Sequence, residues 1–552
     1  MSAQPYKVFI SDLHGQSDVL DALVRQRFGV VETLISDYVS QHPEAPIGAL
    51  RHYLLDASIV TSETVDHFSH LTSMMEVLLN FKHDRRFWPV GVETFASCSW
   101  FLNILDEYAI TGELDQNRRE AISLLDDQDR EQLCRYIAKA VKALLSYRLH
   151  VVGDIYDRGP GAAQILDTLE SLPATVSIQW GNHDVLWMGA ASGSLECIAT
   201  VVRLCLKYGD VATLINDYGI CLDRLAELAN DCYADDPCAN FLLSDAPDVA
   251  DDRPWAAMHK AIAVVQFKLE QQVIERNPQF SLDGRAMLKK VNLASASVEL
   301  QGEPVALTDA NFPTLDCGST SSLTEQEWQL IEDLKEQFIA ADRLQKHVKF
   351  LFANGGLLET DGAYTMYHGC VPVGADLEPV EFRVNDRPLK GRALFDALEL
   401  QLRKAYSRRK TTSCQYLSDI AWYLWCGPLS PLFGREKMTT FERYFIADKQ
   451  YHKEGKNPYF DARNNPDFVA KIASELSGDP KSILINGHVP VKLKDGASPL
   501  FCSGQLACID GGFARAYRPL TGVAGMVLVG DDAHFRLFSL EQQGDVLDFH
   551  EI

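Results

Sequence analysis

The chain has 552 residues, 46% of them apolar, and a formal net charge of −24. That length exceeds one simple core, so several domains or one core with large insertions is expected. The acidic balance argues against a broad nucleic-acid or anionic-membrane surface, which needs a basic excess; a phosphorylated ligand would need a local basic pocket.

Thirteen scattered cysteines include no CxxC pair, the pattern of free thiols in a reducing cytoplasm. The first six residues are polar and lead into a strand, so no signal peptide is expected. No apolar run approaches the ~20 residues of a membrane span. The expectations are a cytoplasmic protein and a small-molecule partner, without nucleic acid or membrane, with homo-oligomer formation left open.

In chain order, the first apolar run, Lys7–Ser11, ends in Asp12-Leu13-His14-Gly15. Helical patterns follow, including Asp66–Phe81 and Arg118–Tyr147. Two more short strands, Leu149–Val152 and Thr175–Trp180, end in Gly153-Asp154-Ile155-Tyr156-Asp157-Arg158-Gly159 and Gly181-Asn182-His183-Asp184. In Trp255–Arg276, Met258, Ala261, Ile262, Val265, Leu269 and Val273 fall at helical spacing and predict a core-facing stripe. A helix is expected over Glu325–His347, with strands at Phe350–Ala353 and Tyr364–Tyr367. The end reads as β-rich, with strands at Ser482–Asn486, Leu506–Ile509, Met526–Gly530 and His534–Ser539. The fold class is α+β, a layered core interrupted by helical insertions. The core is expected from residues 1–20, 146–190, 348–375 and 480–552. Insertions would fill 21–145, 191–347 and 376–479, the last holding a substrate pocket.

The strand-end motifs supply what two adjacent divalent ions need. On extended backbone, Asp12 and His14 would point the same way and bind one ion, with Gly15 turning the chain and admitting an anion. Asp154 is the natural bridging carboxylate, one oxygen for each ion. Arg158 offers a planar fork of donors for phosphate. Asn182 can give its amide oxygen to the second ion. His183, directly after it, is better placed as a general acid held by Asp157. His368 and His488 each follow an apolar strand beside a glycine and complete the second ion's ligands. The mixed imidazole and oxygen set favours manganese or iron, with magnesium open. Water between the ions would be the nucleophile toward a phosphate ester.

These motifs resemble the calcineurin-like metallophosphoesterase superfamily. The resemblance implies a two-sheet β-sandwich flanked by helices, with Asp12, His14 and Asp154 on one metal and Asp154, Asn182, His368 and His488 on the other. It implies His183 with Asp157 as the acid pair and Arg158 on phosphate. Longer segments are similar to the class III fructose-1,6-bisphosphatases, a bacterial family: Trp422–Met438, Met258–Ile262, Gln266–Glu270, Tyr451–Tyr459 and Ile509–Ala514. That resemblance implies hydrolysis of fructose 1,6-bisphosphate to fructose 6-phosphate and phosphate, a step of gluconeogenesis. A second phosphate needs further cations. Gly434–Tyr459 holds Arg435, Lys437, Arg443, Lys449, Lys453 and Lys456. With Arg158 and Asn182, the substrate candidates are Arg435, Lys437 and Lys453. Arg435 leads because phosphatases of the superfamily often place an arginine between the two late histidines. The aromatic run Trp422–Trp425 reads as core rather than a sugar platform. The alternative is a Ser/Thr protein phosphatase or dinucleoside polyphosphate hydrolase of the same superfamily.

Overall fold

The computed structural model describes residues 6–43, 47–55, 147–243, 253–411, 415–515, 517–544 and 546–552, with isolated positions between 120 and 138. The expected helix Asp66–Phe81 lies outside these residues, as does most of Arg118–Tyr147.

Two sheets form the centre. The larger has seven strands in the order Val546–Glu551, Phe535–Gln543, Met526–Gly530, Tyr6–Ile10, Tyr147–Val151, Thr175–Gln179, Gly355–Gly356. Tyr6–Ile10, Tyr147–Val151 and Thr175–Gln179 are parallel neighbours, and Met526–Gly530 joins the other edge of Tyr6–Ile10 antiparallel. The smaller sheet runs Leu500–Phe501, Leu506–Cys508, Ile483–Asn486, Tyr364–Tyr367, Leu358–Asp361, with the middle three parallel. Side chains from both sheets share one apolar cluster, with Phe9, Met526, Leu528 and Leu537 from the first against Tyr364, Met366, Ile485 and Ala507 from the second. The sheets therefore pack face to face. Alternation sends the neighbouring Val8 and Ile10 into the larger core on the opposite face.

Parallel strands need long crossovers, and here the crossovers carry the helices. Asn182–Ala191 packs with Leu195–Tyr208 and Gln415–Cys426, and Leu195–Tyr208 packs with Arg253–Arg276. The expected stripe of Arg253–Arg276 is buried throughout, but His259, Lys260, Gln266 and Lys268 on the same helix are buried too. They survive burial because they are paired. Lys268 Nζ donates to both oxygens of Glu327 at 2.7 and 2.9 Å, and Lys260 bonds Asp236 and Asp309. Trp422 and Trp425 are core residues of Gln415–Cys426, as read from the sequence.

Two expectations are corrected. The single helix over Glu325–His347 is two helices, Glu325–Ala340 and Asp342–Asn354, broken at Ala341, whose ψ is 95°. Thr324 and Glu327 form a capping box that starts the first. The second absorbs Phe350–Ala353, which was expected as a strand. Leu344, Val348 and Leu351 lie at helical spacing and are buried, so this apolar run is the end of a helix. The described cysteines are free thiols. No described helix is long and apolar enough to cross a membrane.

Candidate metal centre

The ends of Tyr6–Ile10 and Tyr147–Val151 stay paired beyond the strands. Asp12 N donates to Gly153 O at 2.9 Å, His14 N to Asp154 O at 2.9 Å and Gly15 N to Ile155 O at 2.8 Å. The backbone here is not extended: Asp12 has φ 55° and His14 φ 46°. The expected i, i+2 alternation is therefore not what aligns their side chains. Left-handed turns held by these cross-strand bonds do so, leaving His14 Nε2 3.8 Å from Asp12 Oδ1. Asp154, Asp157 and His488 also have positive φ. Strained non-glycine residues gathered at one place are characteristic of functional sites.

Glycines permit the close approach. Gly153 has φ 87°, and a Cβ there would strike the His368 ring; one at Gly181 would strike the Asp154 carboxylate. Gly15 has positive φ, as the expected immediate turn requires, and its missing Cβ makes room for the Gly159 carbonyl.

The motif side chains converge. Ligand-capable atoms of Asp12, His14 and Asp154 lie within 4.8 Å of one another, as do those of Asp154, His368 and His488. Asp154 belongs to both groups. Its Oδ2 is 3.4 Å from His368 Nε2, and its Oδ1 accepts from His183 N at 3.1 Å. Asn182 Oδ1 is buried without a hydrogen-bond partner.

The histidine tautomers follow from their outer contacts. His368 Nδ1 donates to Val152 O at 2.9 Å, and His488 Nε2 donates to Phe433 O at 2.9 Å. Each leaves its other nitrogen bare, and these two atoms face each other at 3.2 Å. Two lone pairs at that distance need a cation between them, a proton or a metal ion. Burial opposes charge on His368, but the Asp154 carboxylate overrides it and pushes its pKa up to about 10. His14 is lowered by burial against the pull of Asp157. Once that proton is displaced, the inward-facing imidazole nitrogens, two carboxylates and an orphaned amide oxygen fit divalent metal ions.

Beside this cluster, His183 Nδ1 lies 3.3 Å from Asp157 Oδ1, and Arg158 Nε donates to Asp157 Oδ2 at 2.9 Å. Burial raises the Asp157 pKa, but His183 and Arg158 outweigh it and keep the carboxyl below its usual range. Arg158 also lies over the rings of Tyr208 and Tyr517, at 4.9 and 4.4 Å.

Not every substrate candidate joins the cluster. Arg435 follows Phe433, whose carbonyl orients His488, and its Nη1 is 3.7 Å from Glu454 Oε2. Lys437 is ion-paired with buried Glu442, and Lys453 is exposed. Neither donates a hydrogen bond to any member of the cluster.

Two acids were missed as organising residues. Asp184 is fully buried and accepts from four backbone amides: Asp154 N at 2.8 Å, Gly181 N at 2.9 Å, Ile155 N at 2.9 Å and Tyr156 N at 3.2 Å. It sits at the third position of the helix Asn182–Ala191 and ties that helix start to the Asp154 loop. Burial and the Asp154 charge push its pKa up to about 6. Its place three residues into a helix was a capping signal open to the sequence. Asp510 is buried with one oxygen bonded to Gly512 N at 2.9 Å and the other unpartnered. Burial, then Asp154, pushes it to about 7.

Comparison with known proteins gives the class and then the family. The family model described as Firmicute fructose-1,6-bisphosphatase matches residues 99–548. A class 3 fructose-1,6-bisphosphatase of Saccharophagus degradans is 41% identical over 547 residues, covering 96% of this chain and 94% of the relative. One from Clostridium acetobutylicum is 37% identical over 554 residues, covering 97% and 83%, and one from Clostridium tetani is 36% identical over 550 residues, with the same shares. The chain belongs to the Firmicute fructose-1,6-bisphosphatase family. No solved structure matches it.

Proposed function

We propose that this protein hydrolyses fructose 1,6-bisphosphate to fructose 6-phosphate and phosphate, the gluconeogenic reaction, at a paired divalent metal centre. The observation that carries the reading is Asp154, shared by two ligand groups in a member of this family. The ligands would be Asp12, His14 and Asp154 for one ion and Asp154, Asn182, His368 and His488 for the other, with manganese the preferred metal. Bound ions lower the pKa of water to about 7 and offset charge on the phosphoryl oxygens. His183, held through Nδ1 by Asp157, presents Nε2 to protonate the departing sugar alkoxide. Arg158 forks toward the equatorial phosphoryl oxygens, where its charge counts most in the transition state. Arg435, two residues beyond the Phe433 carbonyl that orients His488, would be a further phosphate contact.

In this reading the two packed sheets are a calcineurin-like core assembled from 1–20, 146–190, 348–375 and 480–552. The intervening segments are insertions that shape the substrate pocket, and the protein works in the cytoplasm. The test is phosphate release by manganese-loaded protein from fructose 1,6-bisphosphate, fructose 6-phosphate, a phosphopeptide and a dinucleoside polyphosphate. Preference for the first, with fructose 6-phosphate untouched, supports the reading. Preference for the phosphopeptide or the dinucleotide replaces the substrate.

A further inference from the structure

Arg158, in the metal-site loop, is gripped by aromatic rings from two distant parts of the chain. Its Nε donates to Asp157 Oδ2 at 2.9 Å, which ties down one edge of the guanidinium. Its Cζ lies over the rings of Tyr208 and Tyr517, 4.9 and 4.4 Å from their centres. Nη1 and Nη2 donate no hydrogen bond to any described residue. Of five N–H donors, four are therefore open. The side chain is 28% exposed, so those donors can be reached from solvent.

Both rings are fixed from behind. Tyr208 is the last residue of the helix Leu195–Tyr208, which Gly209 closes with φ 72°. The carbonyl end of a helix favours a cation beside it. Tyr517 N donates to Ala514 O at 2.8 Å, and Tyr517 O accepts from Leu520 N at 2.8 Å and Thr521 N at 2.9 Å. A Cβ on Gly512, whose φ is 69°, would come within 3.0 Å of the Tyr517 Cβ. Asp510 holds that turn by accepting from Gly512 N at 2.9 Å.

The rings do something Asp157 cannot do alone. A single contact at Nε leaves the guanidinium free to swing, and an ordered fork has to be bought in side-chain entropy when an anion arrives. A second carboxylate would fix the group but occupy its donors. Aromatic faces attract the cation through the ring quadrupole and use none of its N–H groups. The result is a guanidinium with its position set and its fork unspent, as bidentate contact with a phosphoryl group requires.

We propose that Tyr208 and Tyr517 are positioning residues for the reaction, holding the Arg158 guanidinium with Nη1 and Nη2 open to the phosphoryl group. The proposal rests on the fructose 1,6-bisphosphate reading above and deepens it, since the rings act through Arg158 and not on the substrate.

The test is a double-mutant cycle with Arg158 in the full manganese-loaded chain. Tyr208→Leu and Tyr517→Leu should each lower kcat/KM for fructose 1,6-bisphosphate about tenfold and weaken inhibition by inorganic phosphate. Tyr208→Phe and Tyr517→Phe keep the ring and should stay within about twofold of wild type. In an Arg158→Ala background, itself impaired, each Leu substitution should cost no more than about a further twofold, because no guanidinium is left to place. A tyrosine that only supports the fold would cost the same in both backgrounds. Bound manganese should be unchanged; its loss in Tyr517→Leu would assign that defect to His14, whose ring lies 5.9 Å from Tyr517, and overturn the role of Tyr517. Full activity in both Leu variants, full activity in Arg158→Ala, undiminished Leu losses in that background, or Phe variants as impaired as Leu overturn the proposal. The tyrosines lie in separate elements, so either one carries the cycle if the other Leu variant folds poorly. Failure of the parent reading is separate: the wild-type protein would then leave fructose 1,6-bisphosphate whole.

Discussion

Asp154 Oδ2 lies 3.4 Å from His368 Nε2, and the same carboxylate closes a second ligand group with Asp12 and His14. One side chain thus joins strand ends that are 142 and 214 residues apart in sequence, counting from Asp12 to Asp154 and from Asp154 to His368. Asp154→Asn keeps the shape and removes the charge that two ions would share. Bound manganese should fall from two ions per chain to one or none, and phosphate release by on the order of 10³-fold. Elemental analysis after gel filtration, beside a phosphate assay, checks both; an intact pair of ions would exclude the bridging role.

His183 is expected to behave differently. It begins a helix and its Nδ1 faces Asp157, not a ligand group. His183→Asn should lower kcat by about 10²- to 10⁴-fold on a sugar ester, with a smaller effect on an aryl phosphate whose leaving group needs no proton. Metal content should be unchanged. Loss of an ion would make His183 a ligand instead of an acid.

The motifs were legible because each packs its chemistry into a few residues beside a glycine at a strand end. Tyr364–Tyr367 and Met526–Gly530 matched their expected bounds because short apolar runs between turns allow little else. Phe350–Ala353 misled for the converse reason: four apolar or small residues look alike in a strand and at the end of a helix, and only Leu344 and Val348 upstream reveal the period. The strained turns at Asp12 and His14 could not be read, since they depend on hydrogen bonds to Gly153 and Asp154 across the sheet. Asp184 was within reach as a capping residue, but two of its four amides come from Ile155 and Tyr156.

Asp184 anchors the Asp154 loop through its backbone amides. In Asp184→Asn the amide has one acceptor oxygen and brings donors of its own against four backbone N–H groups. Leaving buried donors unpaired should cost about 3 kcal/mol of stability. Manganese affinity should fall as well, because the Asp154 loop loses its anchor. Chemical denaturation and a manganese titration read the two effects. A variant of unchanged stability would show that the four bonds contribute nothing net.

The most direct measurement is a manganese titration of chelator-stripped protein, following phosphate release from fructose 1,6-bisphosphate and from fructose 6-phosphate. The paired centre predicts no release without metal, activity that rises with the second equivalent, and one phosphate per sugar with fructose 6-phosphate left whole. Full activity in the stripped protein, a plateau at one equivalent, or release from fructose 6-phosphate would contradict it.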